Sequence, residues 1–249
     1  MKAKTFNVFL SLIVAGSLAA AMAQKPDKKW TDWSKKDAQK MLDDSPWAKK
    51  QIDTDNSQQM YSPTTASSGI TEQQQAVSAE RRGVGATNQS VNVNFQVRFF
   101  SARPIRQALA RIMELDAKGK PLPEQITKLH NFGDFKSDES IIITVTYSGT
   151  DQRYTNDAMQ ALNSAVTSTL KNDTYLQRSD SKQLFLEQYV PPGSDGFGAR
   201  FIFLRKPDGQ PFIDANTKEI RFYTKLSGAM KVDRRFKVAD MMYEGQLEY

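Results

Sequence analysis

Between Val91 and Phe99 the side chains alternate without a break: Val91, Val93, Phe95, Val97 and Phe99 are apolar, and Asn92, Asn94, Gln96 and Arg98 between them are polar. A period of two places one set in a core and the other in water, so this stretch predicts a half-buried β-strand. The period then changes. From Pro104 to Leu115, Ile105, Leu109, Ile112 and Met113 share one helical face, and Pro104 sits in the first turn, where its missing N–H costs nothing. Gly119 to Pro123 ends that helix. Ile141 to Tyr147 is nearly continuous in apolar and β-branched residues, as a central strand covered on both faces would be. A second helix is predicted over Asn156 to Leu170, where Met159, Leu162, Val166 and Leu170 recur at helical spacing.

Short strand candidates come next, at Tyr175 to Gln177, Gln183 to Val190, Ala199 to Arg205, Glu219 to Leu226, Arg235 to Asp240 and Tyr243 to Tyr249. Pro191-Pro192-Gly193 and Lys206-Pro207-Asp208-Gly209 punctuate them as turns. Short strands joined by turn-sized gaps favour antiparallel pairing. Residues 90–249 therefore predict an α+β domain, a largely antiparallel sheet with two packed helices.

The region before it has two different textures. Residues 29–51 predict two short helices: Ser34-Lys35-Lys36-Asp37 has the spacing of a capping box, with Trp33, Met41 and Leu42 on one face of the helix it would start. Ser45-Pro46 then has the form of an N-cap followed by proline at the first helical position. From 53 to 89 the composition turns to Gln, Ser, Thr, Asn, Gly and Ala, and so little apolar surface does not offset the entropy of ordering. That predicts a flexible linker, with a brief helix around Glu72 to Ala79. Its opening, Asp53-Thr54-Asp55-Asn56, departs from a calcium loop at Gln58 and Thr64, where glycine and glutamate would stand.

Residues 1–23 have the layout of a cleaved export signal: Lys2 and Lys4, an uncharged run from Phe6 to Ala23, and Ala21-Met22-Ala23 as a small-x-small cleavage site. An uncleaved anchor is the alternative reading of the same run. No later segment is apolar for long enough to span a bilayer as a helix. The export reading predicts a protein of the periplasm or cell envelope.

Composition narrows the chemistry. The 249 residues hold no cysteine and one histidine, which excludes thiolate nucleophiles, disulfides, cysteine zinc sites and iron–sulfur clusters, and no cofactor is implied. The formal charge of +6, from 34 Lys+Arg and 28 Asp+Glu, concentrates near the start. Residues 24–50 alone carry eight lysines against five aspartates, and the remainder of the mature chain is nearly neutral. A nucleic-acid binder needs a concentrated basic face on its folded domain, so no nucleic-acid partner is expected.

His130 is the one conventional general base near neutral pH, but its neighbours supply no serine motif and a partly packed histidine fits better. Gly193-Ser194-Asp195-Gly196-Phe197-Gly198 resembles a phosphate loop only superficially: it lacks a lysine and leads into a strand, so it predicts a turn. Asp134, Asp138, Glu139 and Asp151 flank the Ile141 strand and would form a hydrolase's carboxylate pair only by converging in the fold. The alternation at Val91–Phe99 with the terminal Tyr249 has one feature of an outer-membrane barrel, yet two helices interrupt it and the strands are few and unevenly spaced.

All three tryptophans, Trp30, Trp33 and Trp47, lie in the lysine-rich segment. Presented on a tethered helical arm (residues 24–52), they would dock a partner in the envelope or an anionic surface, because tryptophans commonly anchor interfaces. The other reading is that they fold back onto the protein's own sheet.

The chain after residue 23 resembles a group of exported bacterial proteins of unknown function labelled GWxTD-domain-containing, and several segments carry the resemblance. They are Trp30 to Ala38, Asp43-Asp44-Ser45-Pro46-Trp47, Tyr61-Ser62-Pro63-Thr64, Ala102 to Ala108 and Arg235 to Tyr243, with Trp30-Thr31-Asp32 the nearest match to the tetrad that names the group. The resemblance implies export and a bacterial source and carries over no functional residue. The reading reached from sequence is a non-enzymatic exported binding protein; the alternative is a periplasmic hydrolase whose carboxylates meet only in the fold.

Overall fold

The computed structural model describes residues 28–55, 91–119, 121–149, 152–228 and 230–249. It is an α+β fold in which every strand pairing is antiparallel. A five-stranded sheet has the order β1 (Ala48–Asp55), β2 (Val91–Phe99), β3 (Ser140–Gly149), β7 (Ala199–Leu204), β6 (Gln188–Val190). A four-stranded sheet has the order β5 (Gln183–Phe185), β4 (Thr174–Arg178), β8 (Glu219–Lys225), β9 (Lys231–Lys237). A small hairpin of β10 (Met242–Tyr243) and β11 (Gln246–Leu247) turns through Glu244 and Gly245, both at positive φ, the geometry of a two-residue hairpin turn.

The two sheets face each other across a shared aromatic core. Phe99 meets Phe236 edge-on with ring centroids 4.8 Å apart, and Phe222 of the four-stranded sheet meets Phe201 at 5.2 Å and Phe203 at 6.4 Å. These rings are buried, and truncating any one to alanine would cost about 3–5 kcal/mol. The alternation from Val93 to Phe99 points inward as predicted, and β3 is the middle strand of its sheet, with Ile141, Ile143, Thr144 and Val145 all buried.

Both ends of the sheet pair are joined. The predicted strand Gln183 to Val190 is broken: Leu186 N donates to Thr174 O, continuing the β4 pairing, and Glu187 N donates to Ile202 O, starting the β7 pairing. The chain thus changes sheets within two residues. At the opposite end β1 and β9 adjoin, held by the side chain of Gln51. A single predicted sheet is therefore two sheets wrapped around one core.

The helices are α1 (Lys35–Asp43), α2 (Arg103–Leu115), α3 (Pro123–Asp134), α4 (Gln152–Ser164) and α5 (Thr167–Leu170). Helix α1 lies in the segment expected to be helical, and within residues 90–249 the described residues form four helices where two were expected. Pro123, read as part of a break, also opens a helix, because proline is well suited to the first turn. The helix expected at Asn156 to Leu170 begins at Gln152 and is interrupted at Ala165 and Val166.

The second helix expected after Ser45-Pro46 is absent. Ser45 and Ala48 exchange backbone hydrogen bonds across a tight turn, and the chain enters β1, which pairs with β2 from Ala48↔Arg98 to Asp55↔Val91. Strand pairing overrode the local helix-start signal. The boundary expected between residues 52 and 53 thus falls inside β1, and the rest of the expected linker lies outside the described residues, as does the segment 1–23. Arg235 to Asp240 also divides, into β9 and a 3-10 turn at Val238–Asp240.

Candidate functional site

The three tryptophans are buried, at 7% exposure for Trp30, 9% for Trp33 and 3% for Trp47, and each indole N–H is satisfied within the chain. Trp30 Nε1 donates to Asp134 Oδ1 at 3.1 Å, and its ring meets His130 edge-on at 4.8 Å. Trp33 Nε1 donates to Lys28 O, while its carbonyl accepts from Arg111 Nε at 2.8 Å on α2. Trp47 Nε1 donates to Glu248 O at 2.7 Å and its ring meets Tyr243 edge-on. Of the two readings of this segment, a tethered arm and a segment folded back onto its own domain, the structure has the second. Its apolar rings are worth more buried against α2, α3 and the C-terminal hairpin than left in water.

At the surface of this segment lies a cleft of about 720 Å³. The Ser34–Asp37 capping box starts α1, with Ser34 Oγ accepting from Asp37 N at 3.2 Å and Asp37 Oδ2 accepting from Ser34 N at 3.0 Å. That start fixes the helix phase, so Leu42 turns into the core while Met41 and the edge of Trp33 line the cleft. Pro46 contributes from the turn before β1, and Tyr243 and Glu244 from the hairpin. Tyr243 is held in place by its hydroxyl, which donates to Gln107 Oε1 at 2.7 Å, and by the guanidinium of Arg103 over its ring at 5.5 Å.

The lining carries three lysines, Lys28, Lys29 and Lys40, and three acids, Asp37, Asp44 and Glu244. Its acids are engaged: Asp37 caps α1 and lies 4.0 Å from Lys28, Asp44 is 3.8 Å from Lys49, and Glu244 is 3.1 Å from Arg103. Hydrogen bonds from the Ser34 hydroxyl and backbone hold the Asp37 carboxyl below its ordinary value. Lys29 and Lys40, by contrast, have no ion-pair partner among the described residues and line the same opening. The cleft is an apolar floor with these two lysines at its rim.

The other sequence candidates do not line this cleft, and Asp151 lies outside the described residues. His130 is half-buried against Trp30, and its buried Nε2 has no hydrogen-bond partner among the described residues. Asp134 accepts from Trp30 Nε1 and from Gln107 Nε2 at 2.9 Å, which ties α2 and α3 to the tryptophan segment. Among the described residues no three His, Asp or Glu side chains come together as metal ligands. The glycine-rich stretch 193–198 forms a turn: Asp195 accepts from Phe197 N at 3.0 Å and from Arg200 Nη1 at 2.8 Å, and the Phe197 ring stacks on Phe132. Sequence reasoning missed Tyr243 and Glu244 as cleft residues, since nothing local to them signals a contact with a segment some 200 residues earlier in the chain.

Compared with models of protein families, with curated proteins and with solved structures, the chain matches none.

Proposed function

We propose that this is an exported, non-enzymatic protein of the bacterial envelope that binds a partner segment in the cleft beside Trp33. The observation that carries the reading is the lining: Trp33, Met41, Pro46 and Tyr243 offer a floor for one apolar side chain, and Lys29 and Lys40 stand at its rim without an ion-pair partner among the described residues. The matching ligand is a protein segment with an apolar anchor next to acidic residues, since a desolvated anchor supplies affinity and rim charges supply orientation and association rate. Export is supported by the basic start, apolar run and Ala21-Met22-Ala23 site of the first 23 residues.

The test is site-specific photocrosslinking in living cells, with the probe at Met41 or Lys40, and identification of the adduct. The partner so found, purified, is expected to bind the K29E/K40E variant about tenfold more weakly than wild type, mainly through association rate. An adduct that forms as well from a probe on the far sheet, or an affinity unmoved by charge reversal, would overturn the reading. Mass measurement of the mature chain checks cleavage after Ala23.

A further inference from the structure

A second charged opening lies away from the Trp33 cleft, at the seam where β1 and β9 adjoin. It has a volume of about 390 Å³ and is lined by Lys49, Lys50, Asp233, Arg234 and Arg235. Four cations against one carboxylate is already lopsided, and the carboxylate is spent. Asp233 receives both prongs of Arg221, Nε to Oδ1 at 2.7 Å and Nη2 to Oδ2 at 2.6 Å. Arg235 is paired with Glu219 at 2.8 Å, and Lys49 lies 3.8 Å from the largely exposed Asp44.

The side chains of Lys50 and Arg234 have no ion-pair or hydrogen-bond partner among the described residues. Arg234 is one of four arginines, with Arg106, Arg178 and Arg205, whose buried Nε has no hydrogen-bond partner among the described residues. The pairing Phe222↔Arg234 places it on the core-facing side of β9, and its Nε is fully buried with no acceptor. A desolvated guanidinium N–H without an acceptor costs free energy that a ligand oxygen would return. Burial also draws the pKa of Arg234 below its ordinary value, against the opposing effect of Asp233.

We infer that the β1–β9 seam is a binding site for a phosphoryl oxyanion, with the Arg234 guanidinium as the directional donor and Lys50 and Lys49 as point charges beside it. A tetrahedral oxyanion suits an opening lined by several cations, because it presents acceptors in several directions at once, and a charge-assisted pair to arginine is about twice as strong as a neutral hydrogen bond. Phosphate esters in solution and phospholipid headgroups both carry this group.

The experiment follows the Arg234 Nε–H resonance and the melting temperature of the mature chain. Inorganic phosphate is titrated against chloride at matched ionic strength, alongside vesicles of phosphatidylglycerol with phosphatidylcholine and of phosphatidylcholine alone. The expected result is a saturable shift of that resonance and a rising melting temperature with phosphate, both lost in R234Q. In K50Q, a change at an exposed side chain, affinity falls about fivefold. A shift with phosphate but not with anionic vesicles supports a soluble ester; a shift with anionic vesicles supports a headgroup. If neither probe moves the resonance, or if K50Q binds phosphate as wild type does, the site is overturned, whether or not R234Q folds.

Discussion

The side-chain amide of Gln51 stands in for a strand beside Asp233: its Oε1 accepts from Asp233 N at 2.8 Å, and its Nε2 donates to Lys231 O at 2.7 Å. These are the two main-chain groups that a neighbouring antiparallel strand would engage. One glutamine therefore occupies the edge of β9 and fastens it to β1, where an open edge would otherwise invite pairing with another chain. Gln51 is largely buried there, and the seam also sets the mouth of the Lys50–Arg234 opening.

Removing that amide should loosen the whole wrap. Gln51→Ala leaves an N–H and a carbonyl without partners at a largely buried seam, and is expected to cost about 2 kcal/mol in urea unfolding. Gln51→Glu keeps the acceptor for Asp233 N but sets a carboxylate against Lys231 O, so it should cost at least as much at neutral pH and recover on acidification. Equal stability of all three proteins would show that the bridge contributes nothing.

The elements legible in the sequence are those whose period declares their environment. Strand β2 alternates and is buried on one face, β3 is apolar throughout and central, and α1 opens with Ser34 and Asp37 in the box that their spacing predicted. Strand β1 was illegible. Lys49-Lys50-Gln51-Ile52 shows no alternation of apolar residues, because an edge strand is held by its neighbour's backbone and, here, by one glutamine. Helix α3 escaped because Leu129 and Phe132 are only partly buried. Half of the cleft, Trp33 and Met41, lay within the segment that sequence marked; the other half arrives by a contact between residues 201 positions apart, Trp47 and Glu248.

Gly198 separates strain from space. Its φ is +86°, and a Cβ there would lie 2.5 Å from both Val145 O and Thr146 Cγ2, whereas Gly196, at φ +74°, has nothing within 4 Å. Gly196→Ala should cost only the left-handed backbone penalty, about 1–2 kcal/mol. Gly198→Ala adds displacement of the β3 backbone and should cost clearly more, about 3 kcal/mol or above. Melting temperatures of the two variants compare the effects directly, and equal losses would contradict the close approach of this turn to β3.

Tryptophan emission reports the docking of the N-terminal segment. With all three indoles buried and hydrogen-bonded, emission should be blue-shifted and resist iodide in the native protein. Because β1 belongs to the same sheet as β2, the red shift in urea should coincide with the loss of far-ultraviolet circular dichroism. A red shift at lower urea would mean that the segment detaches before the sheets unfold. Trp47→Phe, which keeps a ring beside Tyr243 but leaves Glu248 O without its donor, should cost about 1 kcal/mol or more.

Stability should fall on acidification through Asp233. The forked hydrogen bonds from Arg221 hold its carboxyl below the ordinary 3.8, outweighing the opposing effect of burial. A carboxyl with a depressed folded pKa adds stability above its unfolded value and loses it as pH drops through the folded one. The urea midpoint should therefore be level from neutral pH to about pH 5 and decline below about pH 4. Asp37 and Asp214, lowered by Ser34 and Thr217, act in the same direction but are exposed, so they contribute less. Asp233→Asn should be less stable at pH 7 and decline more shallowly below about pH 4, because it no longer takes up that proton on unfolding. Parallel acid limbs in the two proteins would show that the Arg221 fork does not carry the dependence.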